Sequence, residues 1–251
     1  MRALFIVLLA VWHSISTTAA PNFHHSEFRL ALVVVLAGDD KLPSYFEWGC
    51  RSIGTSSQLF DMLVFHEGNS ALSKVNCADN VIFHDLGGNG VVKRITDTIL
   101  GSLGVKEETL GLVSNMLKEL IKHSPEYLVE FRPMYGSLFD QYLKRYSHWS
   151  YTSSNIVWGN LTEWMEAESL NKYDILTFAN TWDASRLYIR NDFALHKNTP
   201  VVNEYWRNAE HFNGTPTLTL TLTLTLILTL TLTLTLTLIL TLTLTLTLHL
   251  P

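Results

Sequence analysis

The sequence predicts an α/β domain with a mainly parallel central sheet flanked by helices, on three observations. Residues 28–36 (FRLALVVVL) are a nearly continuous apolar, β-branched run, as expected of a strand buried on both faces. Shorter runs of the same kind recur downstream, and stretches with helical spacing fall between them. Between the two unusual termini just under two hundred residues remain, enough for one domain with a full core.

The first run closes on Ala37-Gly38-Asp39-Asp40, a turn at the strand's carboxyl end. Residues 43–50 (PSYFEWGC) read as a helix with Pro43 in its first turn. A second strand, residues 60–66 (FDMLVFH), ends at Glu67-Gly68-Asn69, and a third fits residues 80–84. Gly87-Gly88-Asn89-Gly90 then reads as a plain loop, although a glycine cluster can also cradle a phosphate. Residues 91–103 and 107–122 have helical spacing, the second with Leu110, Val113, Leu117 and Leu120 as its apolar positions, and Pro125 ends that region. Residues 138–146 form a further amphipathic helix, residues 155–158 a short strand, and residues 173–178 and 186–196 the remaining strands. Open sheets of this kind take ligands beyond the carboxyl ends of their strands, which directs attention to Ala37–Asp40 and to the surroundings of Asn155.

Both termini stand apart. Residues 1–20 combine Arg2, an apolar stretch to Trp12, a polar segment and Ala19-Ala20, the pattern of a secretory signal peptide cut after Ala20 or of a short anchor that would hold the chain at a membrane. From Thr217 to Leu250 leucine holds every even position, and threonine every odd one except Ile227, Ile239 and His249. As one strand that run would extend roughly 110 Å, against about 17–20 Å for a usual strand. Two readings stand for it: a frame that runs into a six-base DNA repeat of telomere type, in which one base change gives isoleucine, or a β-rich segment suited to cross-β stacking. The domains are therefore residues 1–20, a folded domain over 21–215, and a low-complexity tail over 216–251.

A net charge of −5 without a basic stripe excludes nucleic-acid binding as the main role. No phosphate loop, dinucleotide fingerprint, zinc cluster or nucleophile elbow is present. Asn160-Leu161-Thr162 and Asn213-Gly214-Thr215 are glycosylation sequons. Cys50 and Cys77, the only cysteines, can form one disulfide in an oxidising compartment or stand as two buried thiols. Together with the N-terminus these features place the chain in the lumen of the secretory pathway or outside the cell.

The most informative stretch runs from Phe131-Arg132-Pro133-Met134-Tyr135-Gly136-Ser137-Leu138-Phe139 to His148-Trp149-Ser150-Tyr151-Thr152-Ser153-Ser154-Asn155-Ile156-Val157-Trp158-Gly159-Asn160. With Tyr173-Asp174-Ile175-Leu176 and the segment from Arg186 to Asn198, it resembles a poorly characterised family of glycosyltransferase-like proteins over roughly residues 29–206. In that family a Pro-x-x-Gly-x-x-Phe helix precedes a Trp-Gly-Tyr-x-Asp-x-Asp segment and a later Gly-Asp pair. The resemblance implies a GT-A-like nucleotide-sugar-binding fold, with a nucleotide sugar as donor and a glycan as acceptor. It also implies a Mn²⁺ or Mg²⁺ ion held by the Asp-x-Asp carboxylates against the diphosphate leaving group.

This chain departs from the pattern at those carboxylates. The two aspartate positions fall on Ser153 and Asn155, and the later Gly-Asp falls on Gly159-Asn160. The family's Gly-His pair before the last strand stands as Asn191-Asp192, and beyond Trp206 the likeness ends, as in a domain truncated at its C-terminus. A glycan on Asn160 would be expected to crowd the donor site. Ala37, Gly38, Asp39, Asp40, Ser153 and Asn155 are the donor-site candidates, with no catalytic residue assigned. Three readings follow: a glycosyltransferase weakened or metal-independent, a non-catalytic binder of a nucleotide sugar or glycan, and a nonfunctional remnant of a subtelomeric gene.

Overall fold

The structure, a computed structural model, describes residues 28–37, 42, 44–100, 106–178, 189–190 and 192–208. The N-terminal segment, Gly38, Asp39, Asp40, Asn213 and the Thr-Leu tail lie outside the described residues. The chain divides into two compact units, up to Glu204 and from Tyr205 onward. Of the second unit the 3-10 turn Tyr205–Asn208 is described, with the Arg207 guanidinium 4.4 Å from the centre of the Trp206 ring.

The first unit is an α/β fold around one six-stranded, mostly parallel sheet. Strands β1 (Leu30–Leu36), β2 (Phe60–His66), β3 (Val81–Asp85), β4 (His148–Tyr151), β5 (Ile175–Thr177) and β6 (Ala194–Lys197) lie in the order β3-β2-β1-β4-β6-β5. β1 pairs in parallel with both β2 and β4, β2 pairs in parallel with β3, and β6 is antiparallel to its neighbours β4 and β5. The apolar run of β1 is buried on both faces because the strand is central.

Leu30, Leu32, Val34 and Leu36 point to one face. They join Phe60, Met62 and Val64 of β2, helix α1 (Phe46–Ser52) through Phe46 and Cys50, and Leu170 of helix α6 (Ala167–Lys172) in one core. The other face is aromatic. Phe65 stacks on Phe139 with centroids 4.1 Å apart, Trp149 stacks on His196 at 4.3 Å, and Tyr135 meets both Phe139 and Tyr151 edge-on. Helices α2 (Gly90–Arg94), α3 (Glu107–His123), α4 (Tyr135–Leu138), α5 (Asp140–Leu143) and α7 (Pro200–Asn203) complete the described α-helices of this unit, a longer 3-10 stretch covers Pro125–Met134, and α2 continues as a π turn over Ile95–Leu100.

Cys50 of α1 and Cys77 are joined in a disulfide with Cα atoms 5.1 Å apart, tying α1 to the segment that enters β3. At the amino end of the sheet, Asp61 is buried and accepts hydrogen bonds from Arg29 (Nε, 3.1 Å), Arg145 (3.3 Å) and the Tyr146 hydroxyl (2.9 Å). A buried carboxyl group needs such partners to offset the hydration it has lost.

Three expected elements differ: of the strand expected over 186–196, residues 189–190 and 192–193 are not strand, and the described strand is Ala194–Lys197. Residues 155–158 are not a strand; the fourth strand is His148–Tyr151, seven residues earlier at its start. The ladder to β1 ends at Val33↔Tyr151, with one further bond from the Thr152 N–H to the Val33 carbonyl (3.0 Å). Beyond it the chain turns onto α1, where the Trp158 N–H donates to Ser52 Oγ (2.8 Å). The helix expected over 138–146 is two short turns, α4 and α5, broken at Phe139, whose ring is drawn into the stack on Phe65.

Candidate site at the parting of β1 and β4

Strand order reverses at β1: β2 and β3 extend to one side, β4 and its neighbours to the other. The crevice outside the carboxyl ends of strands at such a reversal is where open α/β sheets bind ligands. Here the two strands part. β1 runs on beside β2 to Leu36↔His66, three residues past its last pair with β4, while the other chain leaves after Thr152. The edge so opened carries Ala37 at the end of β1 and Ser153, Ser154 and Asn155 after β4.

Of the expected donor-site residues, Ala37 is buried, so its contribution to this edge is backbone. Gly38, Asp39 and Asp40 are outside the described residues. Ser153 is half-buried, and Asn155 is exposed in a turn. Ser154 and Asn155 form a turn, so positions 153 and 155 do not alternate as they would along a strand.

Ser153 has a charged neighbour that the sequence reading did not single out. Arg132 donates from Nη2 to Ser153 Oγ at 2.7 Å and lies 5.7 Å from the centre of the Tyr151 ring. Its place follows from the Pro133-Met134-Tyr135-Gly136-Ser137-Leu138-Phe139 stretch. Phe139 anchors α4 against Phe65. Gly136 lets α4 lie against β4, for a β-carbon there would stand 2.5 Å from Asn203 Oδ1 and 2.8 Å from Trp149 Cε2. Asn203 in turn accepts the Trp149 indole N–H at 2.7 Å. The signal available in sequence was an arginine directly before the proline of that stretch.

Arg190 marks the far side of Tyr151. Its carbonyl accepts the Tyr151 hydroxyl (3.0 Å), and its guanidinium pairs with Asp192 (3.1 Å). Burial pushes the hydroxyls of Tyr135 and Tyr151 up to about 12, against the pull of Arg132, so both remain protonated donors at neutral pH.

A divalent cation does not fit the described residues of this edge, Asp39 and Asp40 lying outside them. One bound to Ser153 Oγ would lie ~5 Å from the Arg132 guanidinium, a repulsion of roughly 7 kcal/mol at an effective dielectric of ~20. Neither Ser153 nor Asn155 supplies a charge to offset that. Among the described residues no three His, Cys, Asp or Glu side chains converge into a metal cluster.

The glycine loop carries no phosphate site. Asp85 Oδ1 already accepts the amides of Gly68 (3.0 Å) and Gly87 (2.8 Å), and Glu67 accepts that of Val91 (2.8 Å). Asn160 caps the 3-10 turn Leu161–Trp164: its oxygen accepts the Thr162 N–H at 3.2 Å, and its amide donates to Glu163 at 2.9 Å. The chain descends along α1 to reach it, with Leu161 N–H on Ser56 Oγ (2.9 Å) just before the start of β2. These contacts hold Asn160 beside the turn that precedes β2. Asn213 is outside the described residues.

The fold defines an α/β protein with a mostly parallel six-stranded sheet whose strand order reverses at β1. Residues 32–221 match the model of the family of unknown function DUF6625, and the chain belongs to that family. No curated protein matches the chain. Among the described residues no helix is long and apolar enough to cross a membrane.

Proposed function

We propose that this protein is a glycosyltransferase-like, GT-A-type protein of the secretory pathway that binds a nucleotide-sugar donor and in which transfer to a glycan acceptor is weakened. The observation that carries the reading is the place of the altered Asp-x-Asp positions. Ser153 and Asn155 follow β4 at the point where it parts from β1, the edge where an α/β sheet takes a nucleotide. The loss of carboxylates at Ser153, Asn155 and Asn160 supports weakened transfer, because nothing at those positions can hold a metal ion against a departing diphosphate. That same loss favours a second reading, a binder of nucleotide sugars or glycans without turnover. The luminal compartment is supported by residues 1–20, by the Cys50–Cys77 disulfide and by the exposed Asn160 sequon.

Thermal unfolding with UDP- and GDP-sugars tests the reading. A ligand present at ~100 times its Kd stabilises the native state by about 2.7 kcal/mol, which raises Tm measurably. Absence of any shift with all nucleotide sugars overturns both binding readings. Release of free sugar or transfer to an added glycan distinguishes the weakened enzyme from the binder.

A further inference from the structure

We infer that the β3 edge of the sheet carries an anion site, built from Arg94, Arg145 and His84 around the Tyr142 ring, that takes the phosphate or sulfate group of a small ligand. The site lies on the aromatic face, two strands away from β1, and does not depend on the nucleotide-sugar reading. β3 is the last strand on its side of the sheet, and its register places His84 beside Phe65. The His84 ring stacks on Phe65 with centroids 5.1 Å apart and meets the Tyr142 ring of α5 at 4.6 Å. The Arg94 guanidinium, at the end of α2, lies 5.0 Å from the centre of the same Tyr142 ring. One tyrosine is thus shared by a guanidinium and an imidazole, both half-buried.

Positive charge is in surplus here. Arg94 donates to the Leu138 carbonyl (3.2 Å) and the Tyr142 hydroxyl (3.1 Å), both neutral, and no carboxylate among the described residues pairs with it. Its Nε–H and the second hydrogen on each terminal nitrogen are left for another acceptor. Arg145, exposed just past α5, shares the single carboxylate of Asp61 with Arg29, at 3.3 and 3.1 Å. Two guanidinium charges therefore stand against one carboxylate there. Burial holds His84 below the ordinary histidine range, and the charges of Arg145, Arg94 and His66 push it the same way. Like charges gathered in this manner attract an anion from several sides. Guanidinium donors match the oxygens of a phosphate or sulfate in charge-assisted bonds. Donors supplied by three separate elements suit the several oxygens of a tetrahedral oxyanion better than the two of a carboxylate.

The test follows the histidine ring resonances of the full chain by NMR at pH 6, as sodium sulfate or phosphate is added against sodium chloride of equal ionic strength. The His84 signals should move and saturate with a Kd of roughly 1–10 mM. Those of His123, exposed on α3, should move little and serve as the control for bulk ion effects. Arg94→Gln should weaken the apparent affinity about tenfold, and Arg145→Gln, at an exposed position, about threefold or more. Arg94→Lys should retain most of the binding. Glucose 6-phosphate that binds more tightly than inorganic phosphate assigns the group to a sugar ester, and equal affinity assigns it to the free ion; either sustains the site. A His84 response no larger than that of His123, one that does not saturate, or wild-type affinity in either glutamine variant overturns the inference.

Discussion

Lowering the pH from 7 to 5 should destabilise this protein before most of its carboxylates titrate. Two buried histidines lie within β4 and β6, His148 and His196. His148 donates from Nε2 to the Leu170 carbonyl (3.1 Å), and the His196 ring stacks on Trp149. Desolvation pushes both down to about 4, further helped at His148 by Lys197 and opposed by the Leu170 carbonyl. An unfolded histidine titrates near 6.5, so the unfolded chain takes up protons that the native state refuses. The stabilisation is therefore complete above about pH 6.5 and is lost as the pH falls toward 4. At pH 5 each histidine forfeits about 2 kcal/mol, about 4 kcal/mol together. The Trp149 face attracts an imidazolium by ~1 kcal/mol, which leaves a net loss of roughly 3 kcal/mol. Against a domain stability of about 5–15 kcal/mol that is a large fraction. Urea unfolding followed by tryptophan fluorescence at pH 7, 6 and 5 reads it as a falling midpoint. His196→Phe, which keeps the ring stack, should reduce the pH slope by about half. An unchanged midpoint between pH 7 and 5 would refute the desolvation argument.

Other perturbations have equally definite outcomes. Gly136→Ala should cost about 1–3 kcal/mol, read as a lower urea midpoint, because the new methyl meets Trp149 and Asn203 in a packed interface. Replacing Cys50 and Cys77 by alanine together should remove about 3.5 kcal/mol on the loop-entropy estimate for the separation of 27 residues, measured against the reduced wild type as control. Asp61→Ala should cost about 2 kcal/mol and leave any nucleotide-induced shift unchanged, since the Asp61 cluster sits at the amino end of the sheet and its arginines are exposed enough to rehydrate. In a secretory host Asn160→Gln should remove a glycan, seen as a gel shift, while nucleotide binding persists; loss of binding in the glycosylated wild type alone would contradict the position found for Asn160.

The parts of the fold legible in sequence are those with strong periodicity. The buried run of β1, the strand Phe60–His66 and helix α3 over Glu107–His123 match their patterns closely. β3 starts at Val81, one residue late, because Asn80 is a buried tie whose amide bonds the carbonyls of Ile53 (3.2 Å) and Phe60 (2.8 Å). β4 was hidden because its buried residues are His148, Trp149, Ser150 and Tyr151, a composition set by the aromatic face and not by β-propensity. Residues 156–158 carry the apolar look of a strand for a different reason, since they cover α1. The backbone carbonyl of Ile156 would stand 2.6 Å from a β-carbon at Gly49. At the site, sequence marked positions 153 and 155 through what was missing from them. It did not mark Arg132, whose meaning depends on a neighbour 21 residues away.

The division of labour around β4 has a bearing on how such a chain can change over time. The residues that set the packing around β4, buried Phe65, Phe139, Gly136 and Trp149 with half-buried Asn203, interlock with one another. Ser153 and Asn155 sit beyond the ladder, half-buried and exposed, where exchanges usually alter stability by less than about half a kcal/mol. A lineage can thus rewrite the chemistry at this edge while the scaffold continues to fold. Purifying selection for folding alone would keep this scaffold intact without preserving the side chains of the edge beside it.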